Sequence, residues 1–238
     1  MEIIPLGDCA LIVRVRERFD DAPEKTLDKV LRTFRQLQGA AIPGVIELAP
    51  AYTSVTVFFD PIVVAKAAKT RDTVFDWLAA HIHASVAEVA DSGRKLGSAS
   101  RTVEIPVSYD SEFAFDLDHV AQTAGLSPAK VIDLHSSAEY RVACIGFVPG
   151  FPFLTGLPRK LATPRRDVPR KEIPPGSVGI GGAQTGIYPL RSPGGWNLIG
   201  RTPLRLFDPA RNPPVLLRAG ERVRFRKITR DEFESFEC

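Results

Sequence analysis

The chain has 238 residues, of which 44% are hydrophobic and 25% are charged. This length is enough for one large domain or two small ones that each bury a core, and the composition is that of an ordinary globular protein. Three cysteines without a C-x-x-C pair argue against a disulfide framework or a zinc site. No signal peptide is visible and no apolar segment approaches the ~20 residues of a membrane helix, so we expect a cytoplasmic protein.

Basic and acidic residues are unevenly distributed along the chain. Residues 1–140 carry 14 Lys and Arg against 20 Asp and Glu, whereas residues 141–238 carry 17 against 8. A basic C-terminal part suggests an anionic substrate, a phosphate or an acidic partner, although an Arg-rich solubilising surface has the same composition. Nucleic acid is disfavoured because the basic residues are scattered among Pro and Gly, without a recognisable reader motif.

The N-terminal third predicts strands that alternate with helices. Strands are expected at residues 10–15, 45–48 and 54–59, the last of which is rich in β-branched and aromatic residues. Apolar residues recur at helical spacing in two segments, Leu27, Val30, Leu31, Phe34 and Leu37 in the first and Val74, Leu78 and Ile82 in the second. This order suits a ferredoxin-like α+β domain over residues 1–92.

A polar stretch rich in Gly and Ser, residues 91–100, is the predicted linker to a second domain at residues 101–230. Asp116 is expected to cap a short helix, and Ser127 followed by Pro128 to begin the next one, which ends near His135. Short strands separated by turn signals indicate a β-rich domain and suggest a closed barrel; we expect them at residues 102–107, 140–147, 178–180, 204–207, 215–217 and 222–228.

Residues 146–203 hold the candidate functional residues. Gly and Pro recur there every few positions, which favours shaped loops over long regular elements. Arg165, Arg166 and Arg170 lie within six residues and are candidates for binding a carboxylate or phosphate, unless Asp167 neutralises one of them and the others hold loops together. The further candidates are Gln184 at the end of a glycine-rich segment, and Tyr188, Ser192, Trp196 and Arg201.

Each of these features has a purely structural alternative. The glycines also suit tight turns, and the aromatic residues also suit a partner interface. His135 can act as an acid or base because of its near-neutral pKa, or can simply bond the last carbonyls of its helix. The spacing of Asp, Glu, His and Cys predicts no metal site, and a serine hydrolase is disfavoured because no G-x-S-x-G motif occurs.

The longest of these motifs resembles a known family. G-F-V-P-G-F-P-F-L-T-G-L-P from Gly146 and the Arg165–Arg170 and Gly176–Gly186 runs look like the signature of the 5-oxoprolinase B-subunit family, also called KipI-like or allophanate hydrolase subunit 1. Gly7-Asp8-Cys9-Ala10-Leu11 resembles its opening and Gly220–Phe225 its end. Phe153 stands where Tyr is common, and Pro175 where Ala is common.

The resemblance implies a cyclophilin-like barrel after the ferredoxin-like domain. It also implies the B component of a complex, with A and C subunits, that opens 5-oxo-L-proline to L-glutamate with ATP; the ATP is expected to bind with Mg²⁺ at a site shared with or supplied by another subunit. On this interpretation Arg165, Arg166 and Arg170 hold carboxylate or phosphate oxygens, and His135 or Gln184 orients the amide. Two alternatives stay open, an inhibitor of a sensor histidine kinase and a component of a urea- or allophanate-type carboxyltransferase.

Overall fold

The chain divides into two compact units, Met1–Ala99 and Ser100–Cys238. The structure is a computed structural model that describes residues 1–19, 22–68, 73–88 and 101–236. The predicted linker lies outside the described residues, and the predicted domain limits stay a prediction. Within the described ranges, no helix is both long and apolar enough to cross a membrane.

The N-terminal unit is a four-stranded antiparallel sheet with helices packed on it. The strand order is β1-β2-β4-β3. The elements are β1 (Glu2–Pro5), β2 (Ala10–Arg14), α1 (Pro23–Ala40), β3 (Val45–Ala51), β4 (Ser54–Phe59), α2 (Pro61–Ala68) and α3 (Val74–Glu88). The succession β2-α1-β3-β4-α2 follows the ferredoxin-like β-α-β-β-α-β order up to its second helix, as predicted. Among the described residues of this unit no strand follows α2, and β1 lies beside β2 at the edge of the sheet. The sequence did not indicate β1 or α2.

The alternation of buried apolar side chains along the two central strands, β2 and β4, explains the core of this unit. Leu11 and Val13 of β2 pair with Val57 and Val55 of β4. All four are buried, together with apolar residues from α1 and α3 that include Val30, Leu37, Leu78 and Ile82. Because side chains on a strand alternate between the two faces, one face of the sheet is apolar and accepts the helices.

The C-terminal unit is built on a closed barrel of seven strands in the order β10-β7-β6-β13-β5-β12-β9. A separate two-stranded ribbon pairs β8 with β11. The strands are β5 (Thr102–Ser108), β6 (Glu139–Ile145), β7 (Pro152–Thr155), β8 (Arg170–Ile173), β9 (Ser177–Gly181), β10 (Gln184–Ile187), β11 (Ser192–Gly194), β12 (Asn197–Arg201) and β13 (Arg222–Ile228). The closed barrel confirms the predicted fold class.

Four short helical segments accompany the barrel. They are α4 (Leu117–Ala124), α5 (Pro128–Ser137), the 3₁₀ turn η1 (Arg159–Leu161) and α6 (Arg230–Glu234). The predicted cap of α5 is confirmed, because the Ser127 hydroxyl accepts a hydrogen bond from the Lys130 backbone N–H. Apolar residues of α4, α5, η1 and the strands share one buried cluster inside the unit, to which α6 contributes no residue.

Two predicted strands are wrong. Residues 204–207 and 215–217 form no strand and contribute only a single isolated bridge, between Phe207 and Val215. Pro203, Pro209 and the Pro213-Pro214 pair surround these segments, and a proline has no N–H to donate to a β-ladder. The two segments therefore form loops, in which only Leu206 and Leu217 are buried.

Candidate functional site

A pocket of about 170 Å³ lies in the C-terminal unit, beside the barrel strand β7 and the ribbon strand β11. Its walls come from the β6–β7 connection and β7, the segment before β8, the segment after β10, and β11 with the turn to β12. The lining residues are Phe147, Phe151, Phe153, Arg165, Arg166, Pro169, Tyr188, Gly194, Gly195 and Trp196. Four of the sequence-predicted site residues therefore meet here, namely Arg165, Arg166, Tyr188 and Trp196.

The inner wall of the pocket is a buried aromatic cluster. Phe151 contacts Tyr188 and Trp196 edge to face, with ring centroids 5.1 and 5.5 Å apart. The Trp196 ring fits closely against the barrel, because a Cβ on Gly181 would lie 2.6 Å from the indole and one on Gly186 would lie 3.0 Å from it. Two glycines of the glycine-rich segment thus make room for the tryptophan rather than for an anion.

A buried carboxylate organises the arginine segment, which we define as residues 165–170. The Asp116 side chain, 4% exposed, accepts a hydrogen bond from Arg166 Nη1 at 2.7 Å. Its two oxygens also accept from Arg170 Nη1 and Nη2, each at 2.8 Å. The Leu198 backbone N–H donates to Asp116 Oδ2 at 2.7 Å, which ties the carboxylate to β12. Asp116 thereby holds both arginines in a fixed place.

This contact corrects the predicted role of Asp116. The residue does precede α4, but its side chain makes no capping hydrogen bond to that helix. The two arginines compete for the same oxygens, and a bidentate guanidinium–carboxylate pair is stronger than a single bond from a backbone N–H. An aspartate before a helix has the same sequence signature in both cases, so the sequence did not identify this residue as part of the site.

Arg165 is the arginine of this segment that faces the pocket without a carboxylate partner among the described residues. Its guanidinium carbon lies 5.9 Å from the centre of the Trp196 ring, within the range of a cation–π contact. Burial raises the pKa of the Tyr188 phenol, and the Trp196 backbone N–H, Arg165 and Arg170 oppose that shift. The pocket therefore combines a neutral phenol with an exposed positive charge.

His135 lies inside the barrel and does not line the pocket. The side chain is fully buried, with Nδ1 2.8 Å from the Tyr109 hydroxyl and Nε2 3.0 Å from Thr185 Oγ1. The Thr185 hydroxyl donates to the Gly179 carbonyl, so it accepts from Nε2–H, and Nδ1 then accepts from Tyr109. Burial lowers the pKa of His135 to about 3, which keeps the imidazole neutral. Its proposed acid–base role stays a prediction.

The other predicted residues also lie away from the pocket lining. Gln184 is half-buried at the start of β10, next to Thr185. Ser192 is buried on β11, and its hydroxyl has no hydrogen-bond partner in the described structure. Arg201 donates from Nε to the Pro175 carbonyl and lies 5.7 Å from the Phe113 ring centre. Their assigned roles in binding or orientation stay predictions.

The sequence missed two aromatic residues of the pocket, Phe147 at its mouth and Phe151 in its inner wall. Phe147 and Phe151 were visible only as parts of the Gly- and Pro-rich motif, where nothing distinguishes a wall residue from a core residue. Over the described residues, no group of three His, Cys, Asp or Glu side chains is placed to hold a metal ion.

Comparisons with known proteins agree with this architecture. A family model described as carboxyltransferase domain, subdomain C and D, matches residues 1–217. The B subunit of the 5-oxoprolinase of Bacillus subtilis (strain 168) is 43% identical over 236 residues, which cover 99% of this chain and 96% of that protein.

Solved structures share the fold. The crystal structure of TTHA0988 matches with a TM-score of 0.74 and 36% identity; the match covers 92% of this chain and 40% of that chain. The K. lactis urea amidolyase matches with a TM-score of 0.75 over 98% of this chain and 15% of its own, at 21% identity, which shows the fold alone. This chain thus corresponds to only part of either structure.

Proposed function

The chain belongs to the family of carboxyltransferase domains of subdomains C and D, and on this premise we propose that it is the B component of an ATP-dependent 5-oxoprolinase. The observation that carries the proposal is its similarity, along nearly all of both chains, to the 5-oxoprolinase B component of B. subtilis. The name of that relative implies a complex, and we propose that A and C subunits complete it.

The chemistry of the pocket supports this assignment. 5-Oxoproline is a small ring with one carboxylate, and a pocket of about 170 Å³ is below the roughly 300–1,000 Å³ of sites for drug-sized ligands. Arg165 offers a guanidinium to the carboxylate, or to a phosphoryl group, because no carboxylate of the described residues pairs with it. The aromatic wall suits the apolar ring carbons of the substrate.

A whole nucleotide does not fit this pocket by volume, although a phosphoryl group does. We therefore propose that ATP and Mg²⁺ bind chiefly to surfaces that another subunit provides. In the overall reaction one 5-oxoproline, one ATP and two water molecules give one glutamate, one ADP and one phosphate. Transfer of the γ-phosphoryl group to the amide oxygen would make the ring carbon electrophilic. Attack by the first water there would break the C–N bond, with the nitrogen taking up a proton, and would give γ-glutamyl phosphate. The second water would hydrolyse this acyl phosphate to glutamate and phosphate.

In this proposal each residue near the pocket has a distinct task. Arg165 binds anionic oxygens directly, and Arg166 adds positive charge beside it while remaining paired with Asp116. Arg170 does not line the pocket and keeps the carboxylate in place. Positioned cationic donors stabilise developing negative charge more effectively than water, because they do not need to reorient during the reaction.

Reconstitution tests the proposal. The chain is co-expressed with the A and C subunits, each is omitted in turn, and glutamate release from 5-oxoproline and ATP is measured. We expect release that requires this chain. Equal release by the A and C subunits without it, or no release from a soluble and fully assembled complex, contradicts the proposal.

A further inference from the structure

Phe147 has a backbone conformation that is unfavourable for a bulky residue. Its φ angle is 68°, in the left-handed region that glycine enters readily and phenylalanine rarely does. The Val148 N–H donates to the Gly146 carbonyl at 2.8 Å, so Phe147 is the central residue of a tight three-residue turn. Turns of this type with positive φ are rare and strained.

The surrounding backbone keeps Phe147 in this conformation. The Gly146 N–H donates to the Phe151 carbonyl at 3.1 Å, and the Phe151 N–H donates to the Val148 carbonyl at 3.1 Å. These bonds close the loop at both ends and leave the residue between them little freedom. Backbone strain that the surrounding structure maintains tends to occur at functional sites, so the strained turn points to a function for the Phe147 side chain.

The Phe147 ring projects over the pocket instead of filling the core. It is 61% exposed, whereas Phe151 and Tyr188 are each only 2% exposed. The ring meets both of them edge to face, with centroids 5.6 Å from Phe151 and 6.5 Å from Tyr188. An exposed ring gains little from burial, so packing within the chain does not compensate for the strained backbone.

On the basis of the proposed function, we infer that Phe147 is a substrate-binding residue that covers the apolar ring of the bound cyclic amide. The ligand class follows from the lining: an aromatic face for the ring carbons, and Arg165 for the carboxylate. Binding would bury the exposed part of the Phe147 ring between substrate and protein. The turn then serves to hold the aromatic side chain at the pocket mouth.

Two substitutions separate this role from a structural one. Phe147→Gly removes the ring and relieves the turn, whereas Phe147→Ala removes the ring and keeps the strain. We expect Phe147→Gly to be at least as stable as the wild type. The unfolding equilibrium constant of Phe147→Gly should be about two- to fivefold lower than that of Phe147→Ala, because glycine adopts the positive φ without strain. The difference is this small because glycine also gains more conformational entropy in the unfolded chain.

Binding is measured on the complex with the A and C subunits. In both variants we expect KM for 5-oxoproline to rise about tenfold, the size of a lost aromatic contact, with kcat within about twofold of the wild type. Tyr52→Gly is the matched control, because Tyr52 is also an aromatic residue with positive φ, 39°, and lies in the N-terminal unit. This control should leave KM unchanged.

Equilibrium dialysis with labelled 5-oxoproline separates failure of this inference from failure of the proposed function. A wild-type complex that binds the compound without converting it overturns the proposed function alone, and the affinities of the variants then decide the role of Phe147. Unchanged KM or affinity in both Phe147 variants, or a marked loss of stability in Phe147→Gly, overturns the inference. No binding by the wild type overturns both.

Discussion

Replacing Asp116 by asparagine should release the arginine segment from the barrel. The carboxylate accepts four hydrogen bonds at 2.7–2.8 Å, three from guanidinium groups and one from the Leu198 N–H. Asparagine keeps one acceptor oxygen and turns an N–H₂ group towards the cations. The variant therefore loses both the charge attraction and at least two of these bonds.

The expected destabilisation follows from burial. Removing one member of a buried ion pair costs about 3–5 kcal/mol. Here the Arg166 and Arg170 side chains are 36% and 24% exposed, so water can solvate them again, and we expect about 3 kcal/mol, the low end of that range. With a typical urea m-value of about 2 kcal/mol/M, the unfolding midpoint falls by about 1.5 M.

Urea unfolding followed by circular dichroism measures this shift, and urea is preferred to guanidinium chloride because salt screens ion pairs. Asp118→Asn is the matched control, since Asp118 is exposed in the first turn of α4 and should change stability by less than about 0.5 kcal/mol. In addition, trypsin should cleave after Arg165 and Arg166 sooner in Asp116→Asn. A midpoint within about 0.3 M of the wild type, with unchanged cleavage, would refute the reasoning.

Two further predictions concern His135 in the barrel interior and the packing of Trp196 against the barrel. Because the folded pKa of His135 is lowered to about 3 from its ordinary 6.5, its contribution to stability is present above pH 6.5 and is lost as the pH falls towards 3. Unfolding free energies across that window should decline less steeply in His135→Asn than in the wild type; equal slopes would contradict the prediction. In Gly181→Ala, the new Cβ would lie 2.6 Å from the Trp196 indole, so we expect about 1–3 kcal/mol of destabilisation and a shifted tryptophan emission. Gly39→Ala is its control, because no atom lies within 4 Å of the Cβ that it would add, and the change should stabilise helix α1. An unshifted emission spectrum of Gly181→Ala would show that the position of the indole does not depend on this contact.

Much of the fold could be predicted because its signals are local. The period of apolar residues identifies α1 and α3, and Ser127-Pro128 identifies the start of α5. The strands of the Gly- and Pro-rich stretch were largely missed, because they are only three to five residues long and are interrupted by Gly and Pro. Thr229 and Glu232 form a capping box, so the T-x-x-E pattern at this position was an available signal for α6.

The site was predictable in composition but not in geometry. The sequence indicated that Arg165, Arg166, Tyr188 and Trp196 belong together, and the structure places all four around one pocket. It could not show which arginine is neutralised, because the acidic partner is Asp116 and lies some fifty residues away rather than at Asp167. Which arginine keeps its charge available depends on that tertiary contact.

The most direct test of the central claim compares two arginine variants in the reconstituted complex. Arg165→Ala removes the guanidinium that faces the pocket, and Arg159→Ala removes another exposed guanidinium, on η1, that does not line it. Glutamate release is measured as a function of 5-oxoproline concentration. The account predicts that kcat/KM falls at least tenfold in Arg165→Ala and stays within about twofold of the wild type in Arg159→Ala. Equal kcat/KM in the wild type and Arg165→Ala would contradict it.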